Sequence, residues 1–295
     1  MTASASPEGE TLSLRDGRRV GYAEYGKPGG EPCFYFHGHP GCRLEPRLAG
    51  HVAGEAGLRL VAVDRPGYGL SDFQPRRTIL DWPRDVEEVA DALGLGRFAV
   101  LGSSGGGPYA LACAHELPNR VTKAGLISGV GPYDAPGATE GMRWQNRVGF
   151  HWSARFAPLA RLIMGSIARQ VRRSSERTVD AIGKALSAAD AEIVRRPDVR
   201  EALAAELAEA FRQGSRGAAS DLVLLGRPWG FALEAIEPVV FLWQGELDTL
   251  VPRAMGRHLA DRIPNCRATF FPAAGHLLLD HMPAIVETFG SGRIA

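Results

Sequence analysis

Within Leu101-Gly102-Ser103-Ser104-Gly105-Gly106-Gly107-Pro108-Tyr109, Ser104 sits at the centre of a Gly-x-Ser-x-Gly spacing. Small residues on both sides let a chain turn sharply enough to push the central side chain clear of the backbone, as a serine nucleophile requires. In a chain with 36 glycines that spacing is weak evidence alone. A serine hydroxyl is a poor nucleophile at neutral pH and needs a base within hydrogen-bond reach, itself oriented by a third group. His276 and Asp248 are the expected base and acid, with His281 competing for the first role and Asp134 or Glu246 for the second. Acyl transfer through such a set also needs backbone N–H donors for a tetrahedral oxyanion. Gly105 supplies one directly after Ser104. The run His37-Gly38-His39-Pro40-Gly41 supplies another; Pro40 has no N–H, so His39 is the expected donor.

These residues can meet only if each stands where a strand ends, because ligands in an open α/β sheet collect at the carboxyl ends of the strands. Alternation over 11–15, a turn at Asp16-Gly17 and a partly apolar face over 19–25 predict an opening hairpin. Apolar runs at 33–36 and 58–63, separated by a helical stretch near 45–56, fit strands covered on both faces. Apolar residues at 86, 89, 90 and 93 predict a helix that starts at an Asp81 cap, holds Pro83 in its first turn and stops at Gly94. A strand at 98–101 precedes Ser104, a helix over 108–117 follows it, and another strand lies at 123–128. Such alternation implies a parallel sheet with right-handed crossovers. The rhythm breaks after Gly131-Pro132: residues 133–228 show helical patterns and no apolar strand, which predicts a helical insertion. Strands at 239–243 and 268–271 then bracket a helix near 252–262, and a last helix covers 283–289. Asp248 and His276 each follow one of these strands by a short loop.

His37-Gly38-His39-Pro40, Asp64-Arg65-Pro66-Gly67-Tyr68-Gly69-Leu70-Ser71, Gly102-Ser103-Ser104-Gly105-Gly106, Gly245-Glu246-Leu247-Asp248 and Gly275-His276 together resemble the α/β-hydrolase superfamily, over nearly the whole chain. The likeness is to its serine-hydrolase branch with a His-Gly-x-Pro oxyanion loop and a helical cap. It implies an α/β-hydrolase fold: a mostly parallel eight-stranded sheet flanked by helices, a core domain of 1–132 and 229–295, and a cap domain of 133–228 over the active site. The order Ser104, Asp248, His276 is the order of that fold. Epoxide hydrolases and haloalkane dehalogenases share the loop type but carry an aspartate nucleophile, so serine at 104 points away from alkyl-enzyme chemistry. The resemblance therefore implies a serine hydrolase of carboxylesterase or lactonase type, without cofactor or metal. Thioester, amide and carbon–carbon cleavage use the same groups and stay open, as does a small-molecule binding protein on the same fold. His37, Trp144 and Trp229 are expected in the substrate pocket, with 142–156 adding apolar wall, so the expected partner is a small, mainly apolar ester or lactone.

Composition narrows the classes further. A formal charge of +1 gives no overall field to draw nucleic acid or an anionic membrane, and the local basic run at 169–177 reads as a solvated helix face. The four cysteines, Cys33, Cys42, Cys113 and Cys266, form no Cys-x-x-Cys pair, so neither a zinc site nor a redox motif is expected. The first ten residues lack the basic start and apolar core of a signal peptide, and no run of 18 apolar residues occurs. The expected location is cytoplasmic, with no membrane partner.

Overall fold

The alternating start of the chain forms two antiparallel strands, β1 (Glu10–Ser13) and β2 (Arg19–Gly26), joined where Gly17 takes a left-handed φ of 87°. The computed structural model describes residues 9–291. The apolar runs that follow become β3 (Glu31–Phe36) and β4 (Leu58–Val63), linked by a 3₁₀ turn (Glu45–Leu48) and α1 (Gly50–Glu55). Then come α2 (Trp82–Ala92), β5 (Phe98–Ser103), α3 (Gly107–Glu116) and β6 (Val121–Ile127). Six helices fill the interval before the next strand: α4 (Trp144–Arg155), α5 (Ala157–Arg173), α6 (Ser175–Ala185), α7 (Ala188–Arg195), α8 (Pro197–Ala210) and α9 (Arg216–Leu225). The chain closes with β7 (Val240–Gly245), α10 (Arg253–Arg262), β8 (Cys266–Phe271) and α11 (Met282–Ser291).

The eight strands form one sheet in the order β1-β2-β4-β3-β5-β6-β7-β8. Only β1 with β2 and β2 with β4 pair antiparallel; the six strands from β4 to β8 across the sheet run parallel. This is the α/β-hydrolase fold. Because side chains alternate between faces along a strand, each strand feeds two cores. Phe34, Phe36, Val61, Val63, Val100 and Leu242 pack on one face with α2, α3 and α10, whereas Tyr35, Leu60, Ala62, Leu101, Phe241 and Trp243 pack on the other with α1 and α11. Each such Phe or Leu removed from water contributes about 1.5–3 kcal/mol. A third apolar cluster lies among α5 to α9 and reaches Cys42 and Tyr68 in the loops after β3 and β4.

Parallel strands put their carboxyl ends on one edge. The loops carrying His37–Pro40 after β3, Ser104 after β5, Asp248 after β7 and His276 after β8 therefore meet there.

One local expectation needs correcting. Asp81 does not cap α2: its own backbone is helical, and no N–H bonds to it as a cap of that helix. The chain enters one turn earlier through a capping box at Thr78, whose backbone N–H (2.7 Å) and hydroxyl (2.8 Å) both donate to Asp81 Oδ2. A carboxylate at the third position of a first turn serves the start of that turn, and the 3₁₀ segment runs straight into α2. All four cysteines are free thiols, and among the described residues no helix is long and apolar enough to cross a membrane.

Candidate active site

Ser104 has a left-handed backbone, φ 48°, immediately after β5 and at the start of a 3₁₀ turn that leads into α3. For a non-glycine residue that conformation is strained and persists only where its surroundings fix it. Here the flanking glycines allow the close turn. A Cβ on Gly102 would lie 2.5 Å from the Gly106 carbonyl oxygen, and one on Gly106 would collide with the Phe36 carbonyl. The Ser104 carbonyl accepts from Val130 N at 2.9 Å, which ties the turn to the loop after β6.

His276 stands beside it. Its Nδ1–H donates to Asp248 Oδ2 at 2.7 Å, leaving Nε2 as the nitrogen able to accept a proton, and its carbonyl accepts from the Ser128 hydroxyl at 2.8 Å. Asp248 is buried and well served: Oδ1 accepts from Leu250 N and Val251 N at 2.8 and 2.9 Å, and Oδ2 also accepts from Gln244 Nε2 at 3.1 Å. Burial alone would depress the imidazolium, but the charge and hydrogen bond of Asp248, with smaller help from Asp190 and Glu45, hold His276 above its ordinary 6.5. Neither rival acid shares this position: Asp134 lines a separate surface groove, and Glu246 pairs with Arg257 at 3.8 Å. His281 stacks on Phe271, ring centroids 4.0 Å apart.

Ser104 and His276 line one cavity of about 240 Å³ together with Gly38 and His39. His276 is hydrogen-bonded to Asp248 and Ser128, and the Ser104 hydroxyl makes no hydrogen bond to its imidazole in this structure. His39 approaches closely: a Cβ on Gly105 would lie 2.7 Å from His39 Cβ and 3.3 Å from its backbone nitrogen. The backbones of the two expected oxyanion donors thus lie against each other. Ser103 also reaches the cavity wall.

The expected pocket residues lie elsewhere. His37 is fully buried beneath the loop: its Nδ1–H donates to the Gly38 carbonyl at 2.8 Å and its Nε2 accepts from Arg65 N at 3.2 Å. Burial and then the Arg65 charge hold it well below 6.5, so it is a neutral strut of the loop rather than a pocket wall. Trp144 is 70% exposed on α4, with Trp152 and Phe156 also out in solvent, because α4 turns that face away from the sheet. Trp229 is buried against Phe231 in the core on the α3 side. The cavity is walled instead by aliphatic side chains from both sides, among them Leu44, Leu48, Val179, Leu186, Leu203 and Leu278.

Two carboxyl groups on that wall escaped the reading of the sequence. Glu45 accepts from the Tyr35 hydroxyl at 2.8 Å and from Gly38 N at 2.5 Å. Glu206, from α8, faces it, and burial followed by the Glu45 charge pushes the Glu206 carboxyl well above its ordinary 4.5. Glu206 is one of four acids on α8, and no sequence signal separates it from the others; its burial beside Ala204 and Leu207 is what turns it inward.

Comparison with known proteins agrees with this architecture. A family model described as the alpha/beta hydrolase fold matches residues 34–281. A 2-hydroxy-6-oxononadienedioate/2-hydroxy-6-oxononatrienedioate hydrolase from Cupriavidus pinatubonensis is 31% identical over 242 residues, 79% of this chain and 73% of the relative. A proline iminopeptidase from Neisseria gonorrhoeae is 32% identical over 113 residues, 37% of this chain; the aligned part is only 36% of that relative's length. Among solved structures, esterase RhEst1 from Rhodococcus sp. ECU1013 has a TM-score of 0.68 at 23% identity, covering 96% of this chain and 98% of that one. The enol-lactonase from Burkholderia xenovorans has a TM-score of 0.69 at 17% identity with the same coverage. At those identities the structures share the fold.

Titrating the His276 ring by NMR is expected to give a midpoint above 6.5 in the wild type and a lower one in Asp248→Asn, since the substitution removes the charge that holds the proton. An unmoved midpoint would mean that Asp248 does not govern this imidazole.

Proposed function

The chain belongs to the α/β-hydrolase family, and on that premise we propose that it is a serine hydrolase of small, mainly apolar carboxylic esters or lactones, acting through an acyl-enzyme on Ser104. The observation that carries this reading is the convergence of a strained Ser104 backbone, an Asp248-held His276 and the His39 loop on one largely aliphatic cavity. His276 Nε2 takes the hydroxyl proton as Ser104 Oγ attacks the carbonyl carbon, and the N–H groups of His39 and Gly105 receive the oxyanion. Collapse expels the alcohol, which takes the proton back from His276. Water, activated by the same imidazole, then releases the acid and restores the serine. Residues 133–228 serve as the cap that closes the cavity from above and supplies Val179, Leu186, Leu203 and Glu206 to its wall. Esterases and an enol-lactonase among the structural neighbours are compatible with this substrate class.

A fluorophosphonate probe should label the wild type and fail on Ser104→Ala, while Ser103→Ala keeps most of its labelling. An acyl series from p-nitrophenyl acetate to octanoate, with simple lactones beside it, should show turnover whose kcat/KM rises with pH through an apparent pKa above 6.5, because His276 must be neutral to accept the proton. Uniform inactivity of a labelled enzyme across these substrates would remove the ester and lactone class.

A second reading, cleavage of a substrate that carries an amine, is favoured by Glu45 and Glu206: among the described residues two carboxyl groups line the cavity and no Lys or Arg does. The partial likeness to proline iminopeptidases is compatible with it. On this reading the substrate's ammonium draws Glu206 into its ionised form, prolyl p-nitroanilide outruns its N-acetylated form by about tenfold or more, the gain of one charge-assisted contact, and Glu206→Gln erases that preference. Equal rates for the two would remove this second reading.

A further inference from the structure

Beneath the candidate oxyanion loop lies a charged cluster shut off from water. The side chains of Arg65 and Asp221 are fully buried and that of Arg77 is 1% exposed. Arg65 follows β4, Arg77 precedes the turn into α2, and Asp221 comes from α9 in the cap. Arg65 Nε donates to Asp221 Oδ2 at 2.8 Å; Arg77 Nη2 and the Tyr109 hydroxyl (2.6 Å) donate to Asp221 Oδ1. Burial alone would raise the Asp221 carboxyl, yet Arg77 and Arg65 hold it below the usual carboxylate range, so the acid is ionised. Buried charge of this kind is costly unless it is paired and hydrogen-bonded; here Arg77 Nε alone of the two guanidinium groups' nitrogens lacks a partner among the described residues.

What distinguishes the two arginines is where their remaining donors go. Arg77 spends its other contact on the Tyr109 hydroxyl at 2.9 Å. Arg65 points its other two nitrogens at the loop: Nη1 donates to the His37 carbonyl and Nη2 to the Gly38 carbonyl at 2.9 Å. The Gly38 carbonyl also accepts His37 Nδ1–H. The Gly38–His39 peptide is trans, the cis bond in this loop being His39–Pro40. In a planar trans unit the N–H lies opposite the C=O. Anchoring the Gly38 carbonyl on a guanidinium therefore turns the His39 N–H the other way, and it is that nitrogen that lies next to Gly105. A cation on the carbonyl also polarises the shared amide and makes its N–H a stronger donor.

We infer that Arg65 is a positioning residue for the acyl transfer proposed above: set by Asp221 of the cap, its guanidinium holds the Gly38 carbonyl and so aims the His39 N–H at the oxyanion. This rests on the serine-hydrolase reading. It makes the cap part of the oxyanion site as well as a wall of the cavity.

The test compares Arg65→Met with Arg77→Met. Each removes one buried guanidinium from Asp221, but only the first frees the loop. With p-nitrophenyl butyrate, and active enzyme counted by fluorophosphonate titration, Arg65→Met is expected to lower kcat per titrated site about 30- to 100-fold with KM within about threefold, somewhat less than outright removal of an oxyanion donor. Affinity for phenylboronic acid, whose adduct on serine is tetrahedral, should fall by a similar factor. Arg77→Met is expected to stay within about threefold of wild type on all three readouts. If Arg65→Met does not fold, Arg65→Lys keeps the charge but not the fork that reaches both carbonyls, and about a tenfold loss of kcat is expected. Asp221→Asn on the Arg77→Met background, which leaves the cluster's net charge unchanged, should cost about fivefold in kcat through a less firmly held Arg65. Equal kcat in the two methionine variants, or a loss confined to KM or to the titratable fraction, would overturn the inference. A wild type that neither labels nor turns over would instead sink the serine-hydrolase reading, and this inference with it.

Discussion

The backbone at Ser104 is the constraint around which the carboxyl edge of the sheet is arranged. A serine at φ 48° is unfavourable by the order of 1–3 kcal/mol, and the chain sustains it by locking both sides. β5 is paired on both edges before the turn, α3 is buried along nearly its whole length after it, and Gly102 and Gly106 let the two halves close without Cβ atoms between them. The same closeness brings Phe36 and the start of the His37–Pro40 loop against the turn. Ser104 and Gly105 are thus fixed by a single packing solution, and Asp248 and His276 need only arrive from β7 and β8.

They arrive with supports from the helical insertion. Asp190 of α7 accepts from Leu277 N at 2.7 Å, one residue past His276, and leaves no room for a side chain at Gly275. Asp221 of α9 holds Arg65, and Glu209 of α8 pairs with Arg43, which also binds the buried Asp64. Gln213 donates to the carbonyls of Gly69 and Ser71. Each contact ends on one of the loops that carry or brace the site. The insertion is held by charge and hydrogen bonds aimed at those loops as well as by its own apolar cluster.

The fold was readable because period-two apolar runs and strand-to-helix alternation are set by local pattern, and each predicted strand lies within a residue or two of the one observed. The grouping of Ser104, Asp248 and His276 was readable for a related reason: a residue just past a parallel strand has only one edge to occupy. The pocket was not. Whether Trp144 or Trp229 faces core, solvent or cleft depends on how a helix is rotated and what it packs on, and neighbouring residues do not encode that. Asp221 and Glu206 were missed because an acid in a helix ordinarily marks a solvent face, and only the packing of α8 and α9 reveals them as inward-facing. Asp81 has the right type for a cap, but the extra turn ahead of α2 gives it another role.

The Arg65–Asp221 pair bears on how such a molecule can be altered. An inserted domain looks like a module, exchangeable between relatives to change what enters the cavity while leaving the reacting groups alone. Here the inserted segment carries the counterion of an arginine rooted in the sheet domain. A transplanted cap without an acid at that point would leave two guanidinium groups buried against each other under the loop. The inserted segment and the sheet domain are therefore tied at this point, and replacing residues 133–228 calls for matched changes at 65 and 77.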